Sequence, residues 1–167
     1  KTVVAAVFRD NQTGNGGGIY VSRDGGDSWT RPATGMVPST NRTPSRTSAH
    51  SVSHASDERG LWYVGTDYGV AISRDNGVTW THVSPESPSA PVESDRQQDA
   101  AQSVLAMPGG QVLALTRTAL HRSDDRGANW RMVITDDFRQ GAPGGGEPGM
   151  GGNKMDRSPF SPWAFIF

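Results

Sequence analysis

The chain has 167 residues, with 16 lysine and arginine residues against 17 aspartate and glutamate residues, a formal net charge of -1 and no cysteine. The absence of cysteine excludes disulfides, thiolate metal sites and thiol nucleophiles. The balanced charge excludes the strongly basic field typical of nucleic-acid-binding domains, and every apolar run is far shorter than the roughly 20 residues that cross a bilayer.

In chain order, the segments that resemble strands are short and apolar. Residues 3–8, 61–64 and 112–115 each have strand length, and their unbroken apolar character is typical of strands covered on both faces. Every helix-like window is interrupted by glycine or proline, and the 21 glycines and 11 prolines indicate a chain dominated by turns. The sequence therefore predicts an all-β domain.

One eight-residue pattern, Ser-x-Asp-x-Gly-x-(Thr/Ser)-Trp, occurs three times, and its serines are 51 and 50 residues apart. The third copy departs from it at Asn129, where threonine or serine is expected. A repeat of this period is the size of one four-stranded propeller blade. The shared residues are Ser22, Asp24, Gly26, Trp29, Ser73, Asp75, Gly77, Trp80, Ser123, Asp125, Gly127 and Trp130.

The chemistry of the pattern is that of a hairpin turn. The aspartate can accept hydrogen bonds from backbone N–H groups two residues on, the glycine can take a positive φ, and the tryptophan covers the turn at the start of the next strand. We therefore interpret the three copies as structural elements.

These residues resemble the Asp-box, or bacterial neuraminidase repeat, of sialidases, xyloglucan-cleaving hydrolases, sortilin-type receptors and photosystem assembly factors. The resemblance implies a β-propeller of four-stranded antiparallel blades, with each box between the third and fourth strands of a blade and away from the catalytic face. It implies little about activity.

The repeat divides the chain into about three blades. Residues 1–34 supply strands two to four of the first blade, 47–84 form the second and 100–135 the third; residues 136–157 are a linker, and 158–167 form the first strand of a next blade. Because closed propellers need more blades, we expect a part of a larger propeller, of about six to eight or ten blades. Alternatively, the terminal strand completes the first blade in a closed oligomer.

Connectivity predicts where function lies. In an up-and-down blade, the turn between strands two and three and the linkers between blades lie at the end opposite the boxes. Exposed connections on a rigid scaffold are where binding residues concentrate. The candidate ligand-binding residues at this end are Arg9, Asp10, Asp67, Tyr68 and Arg117.

Catalysis at this end would need particular groups. A sialidase needs an arginine cluster, a Tyr–Glu nucleophile pair and an acid aspartate, and the aromatic-Arg-Ile-Pro motif of such enzymes is replaced here by Phe8-Arg9-Asp10. Hydrolysis by two carboxylates stays open, because their separation is not readable from sequence.

His50 and His54 are four residues apart on a predicted strand, and without a third ligand they favour packing over a metal site.

Two hypotheses follow. The first is a non-catalytic, extracytoplasmic propeller module, secreted, periplasmic or on the cell surface, that binds a protein or carbohydrate partner or acts as an assembly scaffold. The second is a sialidase-like or xyloglucanase-like glycoside hydrolase with part of its site outside this chain. We predict no cofactor, no metal, no nucleic-acid partner and no membrane span, and we expect the chain to continue into further blades or to pack on another chain.

Overall fold

A computed structural model describes residues 1–8, 17–32, 48–86 and 100–135. Within these ranges the regular structure consists of ten β-strands, and no helix is long and apolar enough to cross a membrane. The strands are β1 (Val3–Val7), β2 (Gly18–Ser22), β3 (Ala49–His54), β4 (Trp62–Thr66), β5 (Gly69–Ser73), β6 (Thr81–Val83), β7 (Ser103–Met107), β8 (Gln111–Leu115), β9 (Ala119–Ser123) and β10 (Arg131–Thr135).

The strands form antiparallel sheets in which neighbours in sequence are neighbours in space. β3 to β6 make one four-stranded sheet, the second blade, and β7 to β10 make another, the third blade. In the first blade, β1 pairs with β2, and the predicted fourth strand is reduced to a single bridge between Val21 and Thr30. The all-β class and the four-stranded antiparallel blades predicted from the sequence are confirmed. The segments 136–157 and 158–167 lie outside the described residues.

Apolar side chains on both faces of the blades form the core. In β4, the adjacent residues Tyr63 and Val64 are both fully buried, because alternate side chains point toward the third and the first blade respectively. Between the first and second blades lie Val4, Ile19, Val21, Ala49, Val64, Ala71 and Trp80. Between the second and third lie Ala55, Leu61, Tyr63, Val70, Ile72, Ala101, Val104, Val112 and Ala114.

The first strands of the second and third blades are also joined by hydrogen bonds. The hydroxyls of Ser51 and Ser53 in β3 accept the backbone N–H groups of Val104 and Ala106 in β7, each at 2.9 Å. Nearby, a Cβ added at Gly65 would lie 2.5 Å from the carbonyl oxygen of Ala101, so this close approach of two blades requires glycine.

The blades have two different ends. At one, which we call the box end, the Ser-x-Asp-x-Gly turns meet the β3–β4 and β7–β8 turns: Asn76 N–H donates to Gly60 O, and Arg126 N–H donates to Gly110 O, both at 2.9 Å. At the other, the rim end, lie the β4–β5 and β8–β9 turns. Asp67 precedes β5 and Asp75 follows it, so the two carboxylates are at opposite ends of one strand.

Candidate functional site

Each repeated turn at the box end is a closed hydrogen-bonded unit. In the second blade, Ser73 Oγ donates to Asp75 Oδ1 (2.9 Å) and accepts the N–H of Gly77 (2.8 Å). Asp75 Oδ1 accepts the N–H of Thr79 at 2.8 Å, and its Oδ2 accepts the Thr79 hydroxyl at 2.5 Å. In the third blade, the Asn129 amide replaces this hydroxyl and donates to Asp125 Oδ2 at 2.6 Å. The departure from the sequence pattern therefore preserves the contact.

The box carboxylates are held ionised by these bonds. Burial acts to raise the pKa of Asp75, but the hydrogen bonds from Thr79, Ser73 and Val78 outweigh it and lower the pKa to about 2. Hydrogen bonds from the Asn129 backbone and side chain lower the pKa of Asp125 to about 2. Carboxylates with such strong acceptor roles are structural, and they are poor proton donors at neutral pH.

Left-handed backbone shapes each turn. Asn76 and Gly77 have φ of 62° and 84°, and Arg126 and Gly127 have φ of 60° and 82°. A Cβ added at Gly127 would lie 2.6 Å from Ile72 Cδ1 in the preceding blade. Glycine is therefore required there both by conformation and by contact between blades.

At the rim end, Asp67 is held by two partners. Its Oδ2 accepts the N–H of Ser48 at 2.8 Å, and its Oδ1 lies 2.9 Å from His50 Nε2. Burial acts to raise the pKa of Asp67, but the hydrogen bonds from His50 and Ser48 outweigh it and hold that pKa below its ordinary value. The ring of Phe8, 61% exposed, packs against His50 with centroids 5.4 Å apart.

The other sequence candidates fall in different environments. Tyr68 is buried, so its ring packs within the protein, and its backbone N–H donates to Thr66 Oγ1 at 3.1 Å. Arg117 is exposed in the β8–β9 turn. Arg9 and Asp10 lie outside the described residues. Phe8, His50, Asp67 and Arg117 together define what we call the rim surface, and the role predicted for Asp67 and Arg117 in binding stays a prediction.

A second group at the rim end was missed by sequence reasoning. Glu86, just after β6, places Oε1 2.7 Å from the hydroxyls of both Thr116 and Thr118 and 3.0 Å from His121 Nε2, all in the third blade. Burial acts to raise the pKa of Glu86, yet these hydrogen bonds lower it. No local signal marks this contact, since Glu86 and His121 are 35 residues apart.

The two histidines of β3 do not form a metal site. His50 contacts Asp67, whereas the ring of the exposed His54 packs on Trp62 with centroids 4.4 Å apart. Across the described ranges, no group of three histidine, aspartate or glutamate residues is placed to hold a metal ion. The described part of the rim end thus carries the hydrogen-bonded carboxylates of Asp67 and Glu86 and the exposed side chains of Phe8 and Arg117.

Comparison with known proteins identifies the repeat and the fold. The family model of the BNR/Asp-box repeat matches residues 20–31, which contain the whole of the first box. No curated protein matches the sequence. Among solved structures, the chain is similar to YCF48 bound to D1 peptide, with a TM-score of 0.51 and 19% identity over 78% of this chain and 35% of that one.

Two further structures are similar over smaller shares. An ancestral GH74 enzyme gives a TM-score of 0.48 and 20% identity over 70% of this chain and 15% of the enzyme. YCF48 from Cyanidioschyzon merolae gives 0.41 and 18% identity over 62% of this chain and 28% of that one. The chain thus spans well under half the length of each. The repeat match and the first structural similarity confirm the Asp-box resemblance and the β-propeller fold.

Proposed function

We propose that this chain is a non-catalytic propeller module that binds a protein segment through the rim surface. The observation that carries the proposal is the state of the carboxylates at the rim end. Asp67 and Glu86 are each engaged by hydrogen-bond donors, and both have a pKa below the ordinary value. Ionised carboxylates held by hydrogen bonds keep a fixed position and a fixed negative charge, as a binding surface requires.

The same observation argues against glycoside hydrolysis by these residues. Both retaining and inverting glycosidases need one carboxyl group that stays protonated until it donates to the leaving oxygen, which requires a raised pKa. In the described part of the rim end, hydrogen bonds shift Asp67 and Glu86 in the opposite direction. We therefore rank the hydrolase hypothesis second.

The side chains available for contact suit a peptide. Exposed aromatic and arginine side chains contribute a large share of the binding energy in protein interfaces. At the rim end, the exposed Phe8 packs on His50, which contacts the ionised Asp67. Arg117 is exposed in the β8–β9 turn of the next blade. YCF48, which shares the fold, has been solved with a bound peptide, and we extend peptide binding to this chain as part of the proposal.

The test is a matched pair of charge reversals probed on a peptide array and a glycan array. Arg117→Glu changes the rim surface, whereas Arg59→Glu makes the same charge change in the exposed β3–β4 turn at the box end. We expect peptide ligands whose binding falls at least tenfold with Arg117→Glu or Phe8→Ala and stays unchanged with Arg59→Glu.

Two results would overturn the proposal. Binding that responds equally to Arg117→Glu and Arg59→Glu would mean that the rim surface is not the site. Ligands found only on the glycan array, or cleavage of a xyloglucan or sialoside substrate by the chain, would favour the carbohydrate-directed alternatives. Thermal unfolding of each variant shows that a loss of binding is not a loss of fold.

A further inference from the structure

The second box contains an asparagine followed directly by a glycine, Asn76-Gly77. In such a pair the backbone nitrogen of the glycine can attack the side-chain carbonyl carbon of the asparagine, because glycine has no side chain to hinder the approach. A C–N bond closes a succinimide ring, the side-chain amide leaves as ammonia with the proton of the glycine N–H, and water then opens the ring to aspartate or isoaspartate. The other boxes have Gly25-Gly26 and Arg126-Gly127 at these positions and lack the side-chain amide that this reaction needs.

In the folded box the attacking nitrogen is occupied. Gly77 N–H donates to the buried Ser73 Oγ at 2.8 Å, and this hydroxyl donates to Asp75 Oδ1 at 2.9 Å. The attack requires the nitrogen to lose its proton, while Asp75 in the same turn is ionised at neutral pH, since its pKa is about 2. Like charges repel, so this carboxylate disfavours an anionic nitrogen beside it. The closed box therefore slows the first step of the reaction.

The asparagine is also held by its other polar atoms. Asn76 Nδ2 donates to Thr2 Oγ1 at 2.8 Å, and Asn76 Oδ1 accepts the indole N–H of Trp62 at 3.3 Å. Its carbonyl oxygen accepts Arg23 Nη1 at 2.5 Å, and its N–H donates to Gly60 O at 2.9 Å. Four segments thus fix a residue whose backbone is left-handed, with φ of 62°. Rotation of the side chain toward the following nitrogen breaks its bonds to Thr2 and Trp62.

The bonds that hold Asn76 join two blades and lie at the surface. Thr2 and Arg23 belong to the first blade, and their hydrogen bonds with Asn76 are exposed. At the next junction, Arg74 Nη2 donates to the carbonyl oxygen of Arg126 at 3.0 Å in the same way. Turns held by exposed hydrogen bonds open locally at a lower free energy than that of global unfolding. The second box can therefore open while the rest of the chain stays folded.

We infer that Asn76 is a deamidation site that the closed second box protects, and that its isoaspartate product keeps the box open. Each opening frees both the nitrogen of Gly77 and the side-chain amide of Asn76, so the reaction follows the open fraction of the box. Isoaspartate adds one atom to the backbone, and the lengthened turn no longer matches the bond between Gly77 and Ser73. This inference concerns the box end and is independent of the proposed function at the rim end.

The test compares two matched serine variants. Ser73→Ala removes the acceptor of Gly77 N–H, and Ser123→Ala removes that of Gly127 N–H; both serines are fully buried and both bonds are 2.8 Å long. Each folded chain is incubated in mildly alkaline buffer, and the unfolded chain in guanidinium chloride gives the rate without the box. Tandem mass spectrometry measures the products at position 76 separately from those at Asn15-Gly16, which lies outside the described residues.

The expected rates differ between the variants. The unfolded chain should deamidate at position 76 at least about tenfold faster than the folded wild-type chain. Ser73→Ala should raise the rate in the folded chain about tenfold, because a buried donor loses its acceptor, and Ser123→Ala should leave it unchanged. Equal rates in the folded and unfolded wild-type chain, or equal rates in the two serine variants, would overturn the inference, since the second box would then give no local protection.

A second pair of variants covers the case in which Ser73→Ala does not fold. Arg23→Ala removes an exposed bond to the second box, and Arg74→Ala removes the equivalent bond at the next junction. Arg23→Ala should raise the rate at position 76 about two- to fivefold, whereas Arg74→Ala should not change it. The same rate in both variants would contradict control by the second box.

The effect of the product on the fold is measured separately. The chain with isoaspartate at position 76, isolated by ion exchange, is compared with Asn76→Asp, which carries the same added charge on an unaltered backbone. We expect a lower midpoint of thermal unfolding for the isoaspartate chain, because only that chain has the lengthened turn. Equal midpoints would show that the box closes around isoaspartate and would overturn the inference.

Discussion

Trp80→Ala should destabilise the chain strongly, and Trp29→Ala should do so much less, although the two tryptophans occupy the same position of the repeat. A tryptophan buries about 150–250 Å², which at about 25 cal/mol per Å² corresponds to roughly 4–6 kcal/mol. Trp80 is 3% exposed and its indole N–H has no hydrogen-bond partner in the described ranges, so its loss is a loss of packing. We expect about 3–5 kcal/mol for Trp80→Ala and about 2 kcal/mol for Trp29→Ala, since Trp29 is 42% exposed.

Urea unfolding followed by far-ultraviolet circular dichroism measures both variants on a signal that does not depend on tryptophan emission. The midpoints should differ while the dependence of the unfolding free energy on urea stays the same, because neither substitution changes the fold. Equal losses of unfolding free energy, or a larger loss for Trp29→Ala, would refute the reasoning. Burial of the box tryptophan would then not determine how much it contributes to stability.

Three other predictions test the described contacts. Tyr63→Phe should leave stability unchanged or raise it by about 1 kcal/mol, because the buried hydroxyl has no partner in the described ranges and burial raises the pKa of Tyr63 to about 12; urea unfolding checks this. Glu86→Ala should cost about 2 kcal/mol in the same assay, since three donors from the third blade would lose their acceptor. The midpoint of thermal unfolding should be constant above about pH 4 and fall between pH 4 and 2. The reason is that folding lowers the pKa of Asp75 and Asp125 from 3.8 to about 2, so protonation of these carboxylates favours the unfolded chain. Asp125→Asn should make the midpoint depend less on pH.

The boxes were predictable because all their bonds are local. Ser73, Asp75 and Thr79 satisfy one another within seven residues of sequence, so the residue pattern alone specifies the turn. Even the substitution at Asn129 follows the chemistry, since an amide N–H replaces a hydroxyl as donor to the same carboxylate oxygen. The position of the boxes between the third and fourth strands followed from the resemblance and from the alternation of strand and turn.

The contacts of the rim end were not predictable in the same way. Glu86 lies in a segment without an apolar pattern, and its partners are defined only when two blades pack together. Tyr68, a candidate for binding, is buried because the two-residue β4–β5 hairpin turns its ring inward. Sequence periodicity identifies strands and turns, but which loop residues meet across a blade boundary depends on packing of distant segments.

The difference in burial between Trp29 and Trp80 indicates which interactions hold neighbouring blades together. The serine, aspartate and threonine or asparagine of each box close their hydrogen bonds within one blade, so these polar groups contribute little attraction between blades. Attraction between blades comes from the apolar clusters, which include the box tryptophan, and from the arginines that donate to a carbonyl of the next box. Stability in such an array is close to a sum of nearest-neighbour terms. A substitution at Trp80 therefore acts on the junction of the first and second blades, and one at Trp130 acts on the next junction, so their effects on the free energy of unfolding should add.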